Sequence, residues 1–306
     1  MWPTPRPFDI VHGFSRTRHQ DLYRAGGGSH ADYLRRNHSG IGLFTRRISP
    51  RHRVLLAMER NVFADPRQRI QCSSRLVADE LIAREGVAPD RIFLLPNGVD
   101  LDRFVAGRQR EDGRRLRDSE APRAAGDPLW LFPGSGWRRK GLAQLMEALA
   151  RDPNARHRLW IAGRDDPRPW QRRAEALGIA ARLRFLGERR DLEVVYQAVD
   201  GVVLPTRYDP FANITLEAAA AGRPIVTSAA NGAAEWLGDA IRVVDAPDDP
   251  ARLFAALAEF ESPERRRSAG DALAKRALDL GWHRHVDSLR SEYDAIVDRN
   301  ERARRG

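Results

Sequence analysis

Residues 129–150, which read LWLFPGSGWRRKGLAQLMEALA, decide the fold. The first five are apolar and predict a buried strand, because a short apolar run that ends at a turn signal is typical of a parallel sheet. The next apolar residues recur at helical spacing and predict a helix over 142–150; they are Leu142, Leu145, Met146 and Leu149. A strand that leads through a short loop into a helix is the repeating unit of an α/β sheet.

The same alternation continues along the chain. Short apolar runs predict strands over residues 159–162, 183–186, 201–204, 224–227 and 241–244. Amphipathic stretches predict helices over residues 170–177, 192–199, 213–221 and 233–237. Together they predict a doubly wound parallel sheet over 129–281, with ligands outside the carboxyl ends of its strands.

Residues 1–104 predict a second α/β domain. Strands are expected over 8–11, 69–73 and 92–95, and a helix over 74–84 that Ser73 or Ser74 could cap. Three strands make a thin sheet, so we expect this N-terminal domain to be incomplete.

The two remaining segments have distinct compositions. Residues 105–128 are rich in Arg, Asp, Glu, Gly and Pro, which predicts a mobile connection between the two domains. Residues 282–306 form a fourth segment, in which apolar residues at spacings of four and three predict an amphipathic packing helix.

Composition and charge restrict the classes of function. The chain has 306 residues, one cysteine and a formal net charge of +10, half of which lies in residues 1–50. A single cysteine excludes a disulfide framework, and no apolar run approaches the ~18 residues of a membrane span, so we expect a cytoplasmic protein. The basic surface favours an anionic partner, with a merely solvated arginine-rich face as the alternative. No motif for nucleic acid or for a metal is present, and neither partner is expected.

The loop Gly134–Gly141 is the first candidate site. Its glycines allow a ligand to approach the backbone, and Arg139 and Lys140 supply cations for a phosphate. It is not the nucleotide-triphosphate P-loop, because Lys140 precedes Gly141 and Leu142 rather than Ser or Thr. A simple turn with exposed charge and a phosphate cradle both remain open.

The second candidate is residues 205–217, which read PTRYDPFANITLE. A helix that begins near Ala212 would turn its positive end toward the ligand crevice. Asp209 and Glu217 are eight positions apart and could accept hydrogen bonds from sugar hydroxyls. The alternative is structural, with Asp209 as a turn residue and Glu217 paired with an arginine. A third loop, residues 227–235, is rich in small residues that permit close approach of a ligand or a tight turn.

Five stretches carry a resemblance to a known family. They are LPNGVDLDRF at 95–104, GSGWRRKG at 134–141, LWIAG at 159–163, RFLG at 184–187, and residues 204–226 with Asn231, Gly232 and Glu235. In this order they resemble the family 4 retaining glycosyltransferases of the GT-B fold. The pattern is most similar to the lipopolysaccharide core glucosyltransferase I type, which acts on an inner-core heptose.

The resemblance implies two Rossmann-like domains that face a cleft, the N-terminal one being incomplete here. It implies transfer of a hexosyl group, with glucose favoured, from a nucleotide-diphosphate sugar, with UDP favoured as the nucleotide. The transfer is expected to need no metal ion and no cofactor. The implied acceptor is an anionic lipid-linked glycan or lipopolysaccharide core, reached by peripheral contact at the inner membrane. An inactive nucleotide-sugar-binding remnant or subunit is the alternative.

The resemblance also assigns roles to residues of this chain. Lys140 and Arg139 would contact the donor diphosphate, and Asp209, an aspartate where the family usually has glutamate, would lie near the transferred sugar. Glu217 would hold the ribose hydroxyls. The other implied donor-binding residues are Gly134, Ser135, Gly136, Phe211, Ala212, Asn213 and Ile214. Candidate contacts to the acceptor or sugar are His12, Ser15 and Arg16, for which packing in a turn is the alternative.

Overall fold

The computed structural model describes residues 8–17, 19–37, 40–120 and 126–305. The chain divides into two compact units. The N-terminal unit comprises Met1–Asn97 together with Trp282–Gly306, and the central unit comprises Gly98–Gly281. The α/β class with two parallel sheets is therefore confirmed. In the part of the chain that is described, no helix is long and apolar enough to cross a membrane.

The N-terminal unit is built on a four-stranded parallel sheet whose strands lie in chain order. They are β1 (His12–Gly13), β2 (Leu22–Arg24), β3 (Arg69–Cys72) and β4 (Ile92–Leu94). Its first four helices are α1 (His30–Asn37), α2 (Gly40–Ile48), α3 (Pro50–Ala64) and α4 (Arg75–Glu85). Ser74 caps α4, as predicted, because its Oγ accepts a 3.4 Å hydrogen bond from the amide of Val77.

Two sequence predictions in this unit are wrong. Residues 8–11 form no strand; β1 begins at His12, because the amide of Val11 donates instead to the Asp21 carboxylate at 2.8 Å. The strand β2 and the helices α1 to α3 were not predicted. A strand of three residues is too short to show alternation, and the sheet has four strands where three were expected.

The central unit is built on a six-stranded parallel sheet in the order β10-β9-β8-β5-β6-β7. Its strands are β5 (Leu129–Pro133), β6 (Arg158–Ala162), β7 (Leu183–Gly187), β8 (Gly201–Leu204), β9 (Ile225–Ser228) and β10 (Arg242–Val244). Its helices are α5 (Arg110–Glu120), α6 (Leu142–Ala150), α7 (Arg168–Ala176), α8 (Leu192–Ala198), α9 (Asn213–Ala220), α10 (Pro250–Ala258) and α11 (Pro263–Ala277). The expected helix at 233–237 is a 3₁₀ turn over Ala234–Trp236.

The predicted mobile connection at 105–128 contains the helix α5 instead. A Cβ on Gly113 would lie 2.7 Å from the backbone of Gln197, so only glycine lets α5 approach α8 this closely. Arg117 and Asp200 form an ion pair of 2.6 Å beside this contact. Close backbone approach and charge hold α5, which is why its scarcity of apolar residues misled the prediction. Residues 121–125 lie outside the described residues.

The last helix, α12 (Trp282–Arg305), belongs to the N-terminal unit. The sequence predicted the helix but treated it as a separate segment. Ile296 on its apolar stripe is buried, and Glu292 forms a 2.6 Å ion pair with Arg69 of β3. Helix α12 therefore packs within the N-terminal unit, together with residues from the first part of the chain.

Candidate nucleotide-sugar site

The strand order of the central sheet reverses at one place. The chain runs from β5 to β6 and β7 on one side, whereas β8, β9 and β10 lie on the other side. β5 and β8 are hydrogen-bonded neighbours, with Trp130 opposite Gly201 and Leu131 opposite Val202. In doubly wound sheets the ligand crevice opens at such a reversal. The two loops that follow β5 and β8 are the first two of the three candidate loops of the sequence.

Glycines allow the loop after β5 to fold tightly against its surroundings. Gly134 and Gly141 have φ of 89° and 85°, a region that side chains disfavour. A Cβ on Gly134 would lie 2.8 Å from Nζ of Lys140, and one on Gly141 would lie 2.2 Å from the carbonyl oxygen of Pro205. The glycines therefore let the lysine cover the loop and let the loop reach the end of β8.

Asp165, after β6, fixes the same loop. Its carboxylate accepts hydrogen bonds from the amides of Gly136, at 2.8 Å, and of Trp137, at 3.1 Å. The Ser135 hydroxyl accepts one from the amide of Arg164 at 3.0 Å. Ser135 and Gly136 thus stabilise the conformation of the loop. Their contacts with a nucleotide-sugar donor stay predictions. The sequence did not single out Asp165, because the contact joins separate loops.

Lys140, Arg139 and Asp209, which the sequence analysis named in two separate loops, lie close together. Nζ of the buried Lys140 is 3.9 Å from Oδ2 of Asp209, and Nη1 of Arg139 is 3.3 Å from the same oxygen. Arg139 also donates to the carbonyl of Tyr208 at 2.7 Å. Burial lowers the pKa of Lys140, whereas the nearby Asp209 charge opposes this shift. Asp209 is thus the counterion of two cations.

The helix α9 begins beside this cluster. Its N-cap residue is Ala212, which has no polar side chain, so the positive helix end is not neutralised by its own cap. The buried Asn231 stabilises the turn that leads into α9. Its Oδ1 accepts hydrogen bonds from the amides of Ala212 and Ala233, and its Nδ2 donates one to the hydroxyl of Thr215. Asn231 lies in the third candidate loop, residues 227–235, where its Asn-Gly pair indicates a turn; its hydrogen bonds to the start of α9 were not predicted.

The neighbouring predicted residues divide by exposure. Phe211 is buried in a core cluster of the unit, so packing explains it. Ile214 packs against the second core cluster, and Asn213 is exposed at the start of α9. Contacts of these residues and of Ala212 with a donor stay predictions.

Glu217 lies one turn inside α9 and is bound by Tyr196, a residue that the sequence analysis did not name. The Tyr196 hydroxyl donates to Oε2 of Glu217 at 3.0 Å. Burial raises the pKa of Glu217, while this hydrogen bond and the charges of Arg103 and Lys140 act in the opposite direction. The tyrosine fixes one oxygen of the carboxylate.

His12, Ser15 and Arg16 lie in the N-terminal unit. His12 shares a 2.8 Å hydrogen bond with the Tyr293 hydroxyl, and burial, together with Arg24 and His285, lowers its pKa to about 4. Arg16 forms a 2.7 Å ion pair with Glu59, which supports a structural role. Ser15 is exposed. Their contacts with acceptor or sugar stay predictions.

The side chains that could bind a metal ion were compared for their positions. Across the described ranges, no three His, Cys, Asp or Glu side chains are placed to hold one ion.

Comparison with known families accounts for most of the chain. Residues 127–261 match the family model described as Glycosyl transferases group 1, and residues 4–103 match the model for Glycosyltransferase Family 4. A probable transglycosylase of Burkholderia thailandensis is 31% identical over 92% of this chain and 73% of its own length. The chain is a member of glycosyltransferase family 4. The resemblance seen in the sequence is confirmed.

Other family members are similar over less of their length. A D-inositol 3-phosphate glycosyltransferase of Geodermatophilus obscurus is 33% identical over 82% of this chain. The lipopolysaccharide glucosyltransferase WaaG of Escherichia coli K12 is 30% identical over 76% of it. The chain spans 57% and 62% of the lengths of these two relatives.

Solved structures show the same fold. A crystal structure of WaaG, a glycosyltransferase involved in lipopolysaccharide biosynthesis, has a TM-score of 0.78 at 24% identity and matches 95% of this chain and 78% of its own. Anabaena HepE in complex with UDP and glucose has a TM-score of 0.67 at 18% identity, over 91% of this chain and 78% of its own.

Proposed function

We propose that this protein transfers a hexosyl group from a UDP-linked donor to an acceptor glycan with retention of configuration. Glucose is the sugar that we favour. One observation carries the proposal. Lys140 and Arg139 converge on Asp209, beside the N-terminus of α9 and at the strand reversal of the central sheet. Two cations and a helix N-terminus are the groups that stabilise phosphate oxygens.

The chemistry follows from where charge develops. When the bond between the sugar and the diphosphate breaks, negative charge builds on the leaving nucleoside diphosphate. Lys140, Arg139 and the N-terminus of α9 are fixed in the folded protein and need no reorganisation to stabilise it. Because Asp209 already pairs with both cations, an incoming diphosphate competes with this carboxylate for them. Asp209 therefore tunes how strongly the donor is held.

Glu217 is suited to the nucleotide end of the donor. Its carboxylate can accept hydrogen bonds from the two ribose hydroxyls, and Tyr196 restricts its orientation. No step of this scheme uses a metal ion or cofactor, as the resemblance to the family implied.

The acceptor that we propose is an anionic lipid-linked glycan or lipopolysaccharide core. Support comes from the names of two relatives, a lipopolysaccharide glucosyltransferase and an inositol 3-phosphate glycosyltransferase, and from the charge of residues 1–50. Such an acceptor requires peripheral contact at the inner face of the membrane. On α2, Ile41, Phe44 and Ile48 are exposed together, at 82%, 63% and 54%. Failure to co-sediment with phosphatidylglycerol vesicles at low salt would refute this contact.

Binding of a nucleotide sugar without transfer is the second candidate. It rests on the grouping of Lys140, Arg139 and Asp209, which accounts for binding of a donor and not by itself for transfer. The two candidates differ in turnover and agree in donor binding.

The test compares the two lysines of the chain. Lys140→Ala removes one fixed donor, and we expect the rate of UDP-glucose turnover to fall about a hundredfold to a thousandfold, because such a donor contributes about 2.7–4 kcal/mol. Lys275→Ala removes an equal charge from the exposed face of α11 and should leave the rate unchanged. Wild-type turnover in Lys140→Ala contradicts the assignment. UDP-glucose binding without any turnover in the wild-type protein favours the second candidate.

A further inference from the structure

The N-terminal unit contains a cavity that lies outside the nucleotide-sugar site of the central unit. Its volume is about 720 Å³, within the roughly 300–1,000 Å³ of small-molecule sites. The walls come from α1, α3 and the C-terminal end of α4. Pro50, Val54 and Leu56 supply apolar surface, and four arginines supply charge. The arginines are Arg35, Arg53, Arg60 and Arg84.

The acidic residues around the cavity are already bound to other groups. Glu59 accepts two hydrogen bonds from Arg16, at 2.7 and 2.9 Å, and its two oxygens accept from the amide of His30 at 2.8 Å. Glu85 accepts from the Ser29 hydroxyl at 3.1 Å. The buried Asp32 contacts Arg35 at 2.7 Å and Arg84 at 3.5 Å through the same oxygen.

Two arginines remain without an acidic partner. Arg53 and Arg60 are seven positions apart on α3, so they share a helix face with Ala57 between them. In the described portion of the chain, neither guanidinium forms a hydrogen bond or ion pair. Among the residues that line the cavity there are four arginines and two acids, which leaves two positive charges in excess.

A neighbouring histidine adds no positive charge of its own at neutral pH. The pKa of His30, whose ring bonds to that of His52 at 2.8 Å, is lowered to about 4. Burial is the main cause, and the positive charges of Arg16 and Arg51 add to it. His30 is therefore neutral at pH 7 and leaves the excess charge to the arginines.

We propose that this cavity is a binding site for a phosphate-bearing ligand, separate from the nucleotide-sugar site of the central unit. A phosphate monoester carries about −1.5 to −2 charges at pH 7, which matches the excess of two. The planar guanidinium groups of Arg53 and Arg60 suit paired phosphate oxygens. The apolar wall beside them suits the carbon skeleton that bears the phosphate.

The test isolates this cavity from the nucleotide site. All proteins carry Lys140→Ala and are saturated with uridine, so that diphosphate binding in the central unit is weakened. Inorganic phosphate is titrated and followed by ³¹P line broadening. We expect Arg53→Gln with Arg60→Gln to weaken phosphate binding at least tenfold. The control, Arg290→Gln with Arg302→Gln, removes the same charge from exposed positions of α12 and should change it less than twofold.

Two further titrations identify the source of the phosphate. Glucose 6-phosphate represents a soluble phosphorylated sugar, and dihexanoyl phosphatidic acid below its micelle concentration represents a lipid headgroup. Tighter binding of either than of inorganic phosphate, lost in the Arg53/Arg60 variant, supports the site and names its source. Equal affinities in the variant, the control and the parent overturn it, as does no phosphate binding at all. Unchanged circular dichroism shows that the variant is folded.

Discussion

The two parallel sheets carry their positive charge in different ways. In the central unit, Lys140 and Arg139 are adjacent in sequence and share one counterion, Asp209, at the end of a strand. In the N-terminal unit, the arginines at the cavity are spread over three helices. Arg35 and Arg84 share the carboxylate of Asp32. Among the described residues, Arg53 and Arg60 have no acidic partner. In the central unit one short loop supplies both cations, whereas at the cavity of the N-terminal unit the cations come from three separate helices. The two neighbouring cations of the first arrangement can be recognised in the sequence, whereas the grouping of arginines in the second cannot.

The largest expected effect tests whether the two units are separate in stability. Ile296 is 1% exposed on α12, and Ile296→Ala should lower the free energy of unfolding of the N-terminal unit by about 2–5 kcal/mol through the cavity that it leaves. Hydrogen exchange resolved along the chain measures the loss in residues 8–97, while UDP affinity reports on the central unit. Val286→Ala, at a half-exposed position of the same helix, should have little effect. Equal loss of protection in both units contradicts the separation.

A smaller effect tests the shared counterion. Asp209→Asn keeps the side-chain size but frees Lys140 and Arg139, so we expect UDP to bind more tightly. Exposed pairs contribute up to about 1 kcal/mol, and this buried pair is screened less by solvent, so we expect a gain of about fivefold or more. Calorimetry measures the affinity. The control, Asp248→Asn, removes an acid that pairs with Arg207 at 3.0 Å on the exposed surface of the same unit. Weaker UDP binding by Asp209→Asn would show that the carboxylate contacts the nucleotide itself.

The smallest effect is a shift in pH dependence. Burial already raises the pKa of Glu217, so its charge is present above that raised pKa and is lost as the pH falls through it. Tyr196→Phe removes the hydrogen bond that favours the charged form, which raises this pKa further. UDP affinity should therefore begin to decline at a higher pH in Tyr196→Phe than in the wild-type protein. Fluorescence titrations across neutral and acid pH measure this, with Tyr33→Phe as the control. Superimposable profiles would remove Glu217 from donor binding.

Sequence reasoning succeeded where local pattern sets the structure. The strand β5 and the helix α6 begin and end where the apolar pattern of 129–150 predicts, because strand and helix periods differ and the glycine loop separates them. It failed for β1 and β2, with two and three residues, because so short a strand depends on its neighbours rather than on its own pattern. It failed for α5, because Gly113 and an ion pair replace an apolar face.

The residues of the candidate site also fall into those with a local sequence pattern and those that depend on distant contacts. Lys140, Arg139, Asp209 and Glu217 could be named because each lies in a loop or helix start with a recognisable pattern. The roles of Asp165 and Tyr196 could not be predicted, nor could the hydrogen bonds of Asn231, because each contacts a residue that is distant in sequence. A hydrogen bond of this kind leaves no periodic signal.

The sequence by itself determined the central parallel sheet, the loops that carry the candidate site residues and the family to which the chain belongs. These properties depend on apolar periodicity and on glycines and charges in short local runs. Only the tertiary structure decided which acid neutralises which base, that α12 joins the first unit, and that four arginines of three helices meet at one cavity. Electrostatic and packing energies depend on distance in space, and folding alone sets that distance.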